Sequence, residues 1–228
     1  MRSISFENSN VCLVSASDDN TLKYWNVNAA AAQPASKTST DADPVLTFRG
    51  HSAAVTSGII SSQQRRIYSG SLDATIRVWH VPRLDNPPYP PYNPAMEEAT
   101  LIGHSQAIWE LVLLANRAQE ETLLASASAD GTVKIWDTQD LSSALKLSWD
   151  YFGTEPDAAA EAEREKLASE GKEVPIPTSI ASCPANLRVC AVAYSNSVIK
   201  LFEVETGKQT MRFKSDESYG ALCHLGYL

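Results

Sequence analysis

Serine, histidine and aspartate are the ingredients of a hydrolytic triad, and this 228-residue chain twice sets serine and aspartate at a fixed interval behind a histidine. The first set is His51, Ser69 and Asp73, followed by Trp79; the second is His104, Ser126 and Asp130, followed by Trp136. In each, Ser precedes Asp by four residues and Asp precedes Trp by six. A partial third set, Ser15, Asp19 and Trp25, keeps the same offsets, but its histidine would fall before Met1. In a triad, histidine takes the serine proton while the carboxylate orients the imidazole. An active site occurs once, whereas a constellation repeated at matching offsets is the product of a repeated scaffold. No Gly-x-Ser-x-Gly elbow accompanies these serines and nothing suggests an oxyanion hole, so the residues read as structural and the chain as not an enzyme. His80 and His224 have no partner at metal-ligand spacing. Cys12, Cys183, Cys190 and Cys223 lie far apart with no Cys-x-x-Cys pair, and read as small buried apolar residues in a reducing compartment. No catalytic, cofactor or metal residue is expected.

The elements that carry these residues repeat as well. Val14–Asn26, Tyr68–His80 and Ala125–Asp137 each read Ser-small-Ser-x-Asp-x-Thr-aliphatic-basic-x-Trp. Within Thr75-Ile76-Arg77-Val78-Trp79 the alternation has period two, with Ile76 and Val78 on the face opposite Arg77, which is the pattern of a strand. Asp130-Gly131 is a tight-hairpin signal. A degenerate fourth copy runs from Val192 to Phe202; Phe202 replaces the tryptophan, the aspartate is missing, and its hairpin is expected to be looser. Gly50-His51 and Gly103-His104 lead the second and third copies. Spacings of 54 and 57 residues between tryptophans, and 66 on to Phe202, require insertions.

This pattern resembles the WD-repeat family, whose period is ~40–45 residues. The resemblance implies an all-β WD-repeat β-propeller of about four four-stranded blades plus the first strand of a fifth (221–228), an incomplete seven-bladed ring. Approximate blades are 1–49, 50–102, 103–148 and 178–214 within one partial propeller over 1–228. It further implies a buried Asp–His–Ser–Trp network: His51, Ser69, Asp73 and Trp79 in blade two, His104, Ser126, Asp130 and Trp136 in blade three, with Ser15, Asp19 and Trp25 kept in blade one. Family propellers bind partners where the hairpins and Gly-His loops gather. That makes Ser52, Ser105, Gln106 and Trp109 the partner-binding candidates, although Trp109 packing in its own blade beside Ile108 is an equal reading.

Several stretches resemble the C-terminal propeller of the striatin family, scaffolds of the phosphatase–kinase assembly called STRIPAK. These are Ser15–Asn26, Asp43–His51, Leu101–Leu111, the Pro/Tyr-rich run Asp85–Pro94, and Phe213 with the Thr206-Gly207-Lys208 turn. The resemblance implies a non-catalytic protein–protein scaffold linking type 2A protein phosphatase subunits, kinases and adaptors. It also implies a cytoplasmic location, with internal membranes reached only through partners. Neither the coiled coil nor the calmodulin-binding segment of that family is visible. The chain is therefore expected to be a fragment or shortened product that self-associates through its end blades. The alternative is a WD-repeat subunit of another assembly, such as a ubiquitin-ligase substrate receptor or a chromatin complex.

Composition narrows the partners. Nineteen Lys and Arg against 27 Asp and Glu give a net charge of −8, which argues against a nucleic-acid binder. No run nears the roughly 18 apolar residues of a membrane helix. Residues 28–43 read as a flexible loop, and 82–97 as an extended Pro/Tyr-rich connector between blades. Residues 154–177 form an acidic helical insertion: Asp157 can cap a helix over Ala158–Glu170, stopped by Gly171, with Glu161–Arg164 and Glu163–Lys166 pairs. Because Leu167 is its one large apolar residue, the helix is expected to be solvated.

Overall fold

A computed structural model describes residues 1–6, 12–26, 43–61, 63–82, 93–115, 121–183 and 186–214. The described residues form sixteen strands in four four-stranded antiparallel sheets, each running in chain order. Sheet one is β1 (Ser3–Phe6), β2 (Cys12–Ala16), β3 (Thr21–Asn26) and β4 (Leu46–Arg49). Sheet two is β5 (Val55–Ser61), β6 (Arg66–Ser71), β7 (Thr75–His80) and β8 (Glu97–Ile102). Sheet three is β9 (Ile108–Ala115), β10 (Glu121–Ser128), β11 (Val133–Asp137) and β12 (Leu145–Trp149). Helix α1 (Ala158–Ser169) precedes sheet four, made of β13 (Pro177–Ser182), β14 (Val189–Tyr194), β15 (Val198–Glu203) and β16 (Gln209–Lys214). The chain divides into two compact units, Met1–Ile102 and Gly103–Leu228, so each unit holds two sheets.

Because successive strand residues point to opposite sides, every sheet has two faces. One carries the third-strand aromatic residue, Trp25, Trp79, Trp136 or Phe202, and is called the Trp face here; the other is the reverse face. In the first unit, Ala16, Leu22 and Phe48 form one cross-strand row of the reverse face of sheet one, and Val14, Tyr24 and Leu46 the next. Against them pack Ile60, Ile67 and Trp79 from the Trp face of sheet two, in one continuous buried cluster. In the second unit, Ala125, Ile135, Ala127, Val133 and Trp149 of sheet three pack against Ile180, Val192, Cys190 and Phe202 of sheet four. Small residues on the inner strands and large ones on the outer strands let the sheets nest at interior packing density.

The connecting segments attach differently from the sequence reading. The Pro/Tyr-rich segment leaves β7 and returns at Asn93, which caps a short 3-10 turn Pro94–Met96 and then β8, so it links two strands of one sheet rather than two blades. The start of β8 is pinned by Arg66–Glu98 and Arg77–Glu97 ion pairs, both 2.6 Å. The 28–43 segment likewise spans from β3 to β4 inside sheet one. The described residues exclude 27–42, 83–92 and 215–228, so the flexible-loop expectation, most of the Pro/Tyr-rich connector and the expected fifth-blade strand lie outside them.

Helix α1 starts where expected, with the Asp157 carboxylate accepting from the Ala160 N–H (2.8 Å), and stops before Gly171 at φ +62°. It is not solvated all round. Ala160 is buried, Leu167 packs on the core of the unit, and Glu163 between them makes a two-pronged ion pair with Arg212 (2.8 and 2.9 Å). These residues share a stripe of the helix at i, i+3 and i+7 spacing. The expected Glu161–Arg164 and Glu163–Lys166 pairs give way to Arg164–Asp150 (3.4 Å) and Lys166–Glu170 (4.0 Å), because Glu163 and Arg164 reach the sheet instead.

Candidate functional site

Within each unit one Ser-His-Asp set is assembled, and the two sets have near-identical internal geometry. His51 Nδ1 lies 2.8 Å from Asp73 Oδ2, and its Nε2 lies 2.8 Å from Ser69 Oγ; Trp79 Nε1 donates to the same Ser69 oxygen at 2.8 Å. In the next copy, His104 Nδ1 is 2.8 Å from Asp130 Oδ2, His104 Nε2 is 2.7 Å from Ser126 Oγ, and Trp136 Nε1 is 2.8 Å from Ser126 Oγ. The partners fix the tautomer: Nδ1–H donates to the carboxylate, Nε2 accepts from the serine, and the serine accepts from the indole. Each aspartate also receives a backbone N–H from the residue after the histidine, Ser52 (3.0 Å) or Ser105 (3.1 Å). It further takes the N–H and hydroxyl of Thr75 or Thr132 across the hairpin. The carboxylate thus ties the turn after one sheet to the hairpin of the next, and a buried polar group with all its partners present carries no desolvation deficit.

Local sequence explains the placement. The Gly-His pair directly follows a sheet's last strand, β4 or β8, and a side chain on the glycine would strike the Trp ring: a Cβ on Gly103 would sit 2.9 Å from Trp136, and one on Gly50 3.0 Å from Trp79. Glycine is what lets the indole lie under the turn and reach the serine. The histidine side chains are fully enclosed. Burial pushes the His51 imidazole below its ordinary value despite Asp73, so the ring is held neutral. Burial alone would raise the Asp73 carboxyl, but hydrogen bonds from Thr75 and His51 outweigh it and hold it at about 2. Asp130 is lowered in the same way, with burial overcome by His104 and Thr132.

In composition this is a Ser-His-Asp triad, yet its serine faces nothing. Ser69 and Ser126 are fully buried, and each hydroxyl oxygen already accepts from an indole. An attacking oxygen needs space for a substrate carbonyl and donors for the developing oxyanion, and a sealed hydroxyl offers neither. In sheet one the pattern is partial: Trp25 donates to Ser15 at 3.0 Å, and Asp19 accepts from Thr21 within its own hairpin, the Thr21 hydroxyl holding its carboxyl low.

Sheet four has a different set at the same positions, which the offsets could have revealed. Asp150-Tyr151 follows β12 as Gly-His follows β4 and β8, and Asn196 precedes Phe202 by six residues as Asp precedes Trp. Asn196 Nδ2 donates to the Tyr151 hydroxyl (3.1 Å), and its Oδ1 accepts from Val198 N across the hairpin (3.3 Å). The Tyr151 hydroxyl donates to Glu163 of α1 (3.1 Å). Lys200, 1% exposed, donates to the Tyr151 carbonyl at 2.8 Å and lies 3.4 Å from the Tyr151 ring centroid. Burial, only partly offset by Glu163, lowers the Lys200 ammonium to about 8. This corrects the expectation of a looser hairpin: β14 and β15 pair over five residues without a shift, as β10 and β11 do. Phenyl is shorter than indole, and a residue with a side chain, Asp150, takes the glycine's position.

Of the residues singled out for partner contact, Ser52, Ser105 and Gln106 adjoin these clasps. Ser52, Ser105 and Gln106 are exposed, the first two giving only backbone N–H groups to the aspartates and Gln106 its carbonyl to the Ser128 hydroxyl (3.1 Å). Trp109 stands on β9 next to fully buried Ile108 and is itself 36% exposed. Among the described residues no helix is long and apolar enough to cross a membrane.

Repeated four-stranded sheets, joined by glycine-histidine turns and locked by Asp–His–Ser–Trp clasps, define a WD-repeat protein with β-propeller blades. The WD domain, G-beta repeat family matches residues 1–26, 42–80 and 96–137. Within that class the chain is a homologue of the striatins. It is 30% identical to Homo sapiens striatin over 217 residues, covering 95% of this chain and 24% of that protein. It is 37% identical to Homo sapiens striatin-3 over 168 residues (68% and 20%), and 30% identical to Homo sapiens striatin-4 over 220 residues (96% and 26%). The chain spans about a quarter of the length of these relatives.

Proposed function

We propose that this chain is a non-catalytic scaffold of striatin type, which helps join type 2A protein phosphatase subunits to kinases and adaptors in a STRIPAK-type cytoplasmic complex. The observation that supports it is the pairing of striatin likeness along nearly the whole chain with hydroxyls and imidazoles consumed by the fold. Function then falls to exposed residues of each unit. In the second unit Trp109 offers a rigid aromatic of the type enriched at interface hot spots, preceded in sequence by Ser105 and Gln106; in the first unit Ser52 takes the position of Ser105, directly after its histidine. The relatives favour this reading over a ubiquitin-ligase or chromatin subunit.

Purified chain is to be titrated against purified phosphatase 2A scaffold–catalytic core and a germinal-centre-type kinase, by interferometry. Saturable binding to either is expected, weakened about tenfold or more, or about 1.4 kcal/mol, by Trp109→Ala with an unchanged melting temperature. Binding to neither overturns the phosphatase–kinase reading, and full binding by the variant removes Trp109 from the surface.

A further inference from the structure

One threonine bolts the segment that carries helix α1 to sheet four. Between β12 and α1 the chain forms neither helix nor strand, and Thr154, Glu155 and Asp157 there are exposed. Thr154 turns both its donors on the β15–β16 turn: its N–H reaches the Gly207 carbonyl at 3.2 Å, and its hydroxyl reaches the Thr206 carbonyl at 2.7 Å. The approach is so close that a Cβ on Gly207 would lie 2.8 Å from the Thr154 methyl group. Beside it, Glu155 pairs with Lys208 at 3.2 Å. Past this bolt α1 holds to the unit through Ala160 and Leu167, through Glu163 on Arg212 and Tyr151, and through Arg164 over the Phe152 ring at 4.5 Å. That is a thin attachment for a twelve-residue helix, so the way its entry is fixed bears on whether it stays docked.

We propose that Thr154 is a phosphorylation site for an acid-directed serine/threonine kinase, and that the phosphate releases the α1 segment from sheet four. An exposed stretch outside helix and strand can enter a kinase cleft without opening a sheet. Kinases select substrates by charge pattern, and Glu155 and Asp157 stand one and three residues after the hydroxyl. The transfer draws on magnesium ATP: the Thr154 oxygen attacks the γ-phosphorus, its proton passes to the kinase's base, and ADP leaves. The product exchanges one hydrogen-bond donor for a group of acceptors carrying about −1.5 to −2 charges. What it faces is the Thr206 and Gly207 carbonyls, which are acceptors too. The Thr206 hydroxyl is already given to Glu203 (2.7 Å), and Lys208 is already paired with Glu155. With acceptors opposite acceptors and two carboxylates alongside, repulsion drives Thr154 off the turn. Gly153 at φ +80° and Gly171 at φ +62° bracket the segment, and their backbones can take up the rotation. Undocking then uncovers Tyr151 and Phe152, which are fully enclosed while α1 is in place. The inference rests on this loop alone, so it and the phosphatase–kinase reading can fail separately.

The purified whole chain and its Thr154→Val variant are to be incubated with magnesium ATP and an acid-directed kinase of casein-kinase-II type, and the phosphate mapped by mass spectrometry. The parent should take up phosphate at Thr154, and the variant should take up none in the segment between β12 and α1. Amide hydrogen exchange is then followed in the phosphorylated and unphosphorylated parent. The amides of α1 should exchange about tenfold faster or more after phosphorylation, while those of β14 and β15 keep their protection and show that the sheet stays folded. Absence of phosphate at Thr154 in the parent overturns the site. Phosphate at Thr154 with α1 exchange unchanged or slowed overturns the release.

Discussion

Sheets three and four share a unit and a topology but close their corners differently. In sheet three a neutral imidazole, a carboxylate, a serine and an indole form a short chain of hydrogen bonds in which every donor has an acceptor. In sheet four a tyrosine, an asparagine and a buried lysine occupy the same corner, and a helix from outside the sheet completes the set through Glu163. The clasp is local and self-sufficient, whereas its substitute is spread over α1, β15 and β16 and depends on an insertion. What the blade architecture requires at this corner is therefore not one residue set. It requires a filled aromatic position and a polar link from the preceding turn to the hairpin.

The aromatic positions should give the largest effects and be equivalent in the two sheets. Trp136→Ala and Phe202→Ala are each expected to cost about 3–5 kcal/mol, measured by urea unfolding of the whole chain. A much smaller loss for Phe202 would break the equivalence. Next comes the helix: exchanging residues 155–173 for a Gly/Ser linker uncovers Tyr151 and Phe152 and removes the Leu167 and Glu163 contacts. The expected loss is about 2 kcal/mol, roughly 4–8 °C in melting temperature for a chain of this size. An unchanged melting temperature would return α1 to the status of a solvated excursion.

The polar links should separate more finely. Asp130→Ala strands four donors, from His104, Ser105 and Thr132, and should cost about 2–3 kcal/mol, against about 1 kcal/mol for Asn196→Ala, a neutral amide with two bonds. The pH effects fall in separate windows, each raising stability as pH rises. The folded Asp73 carboxyl, at about 2, lies below its ordinary 3.8, so its stabilisation is present above 3.8 and lost as pH falls towards 2. His51 is buried neutral, so stability also declines as pH falls through the 6.5 at which the unfolded imidazole protonates. Lys200, lowered to about 8 from 10.5, destabilises below pH 8 and ceases to do so as pH rises to 10.5. Melting curves should therefore fall on the acid side in the parent, and Lys200→Met should remove the alkaline gain.

Much of this was legible in the sequence because the clasps repeat. Matching offsets from Ser15, Ser69 and Ser126 to their tryptophans identify hairpins and strands without reference to any single propensity. The corner of sheet four was harder to read, since Tyr151 and Asn196 keep the positions and change the chemistry, and the missing aspartate drew attention from the asparagine in its place. Helix α1 reads as solvated in the sequence for a physical reason: its inward stripe is an alanine, a paired glutamate and one leucine, which no hydrophobic period detects. The Pro/Tyr-rich segment reads as an inter-blade connector because sequence spacing does not say which gap follows a sheet's third strand and which follows its fourth.

The central claim is that the repeated Ser-His-Asp residues hold the indoles and hairpins in place. Hydrogen exchange of the tryptophan indole N–H groups, followed by NMR under native conditions, measures this directly. Trp79 and Trp136 should exchange only through global unfolding, while Trp25, half-buried and with no histidine behind its serine among the described residues, should exchange faster. Rapid exchange of Trp79 and Trp136, at the rate of Trp25 or beyond, would contradict the account.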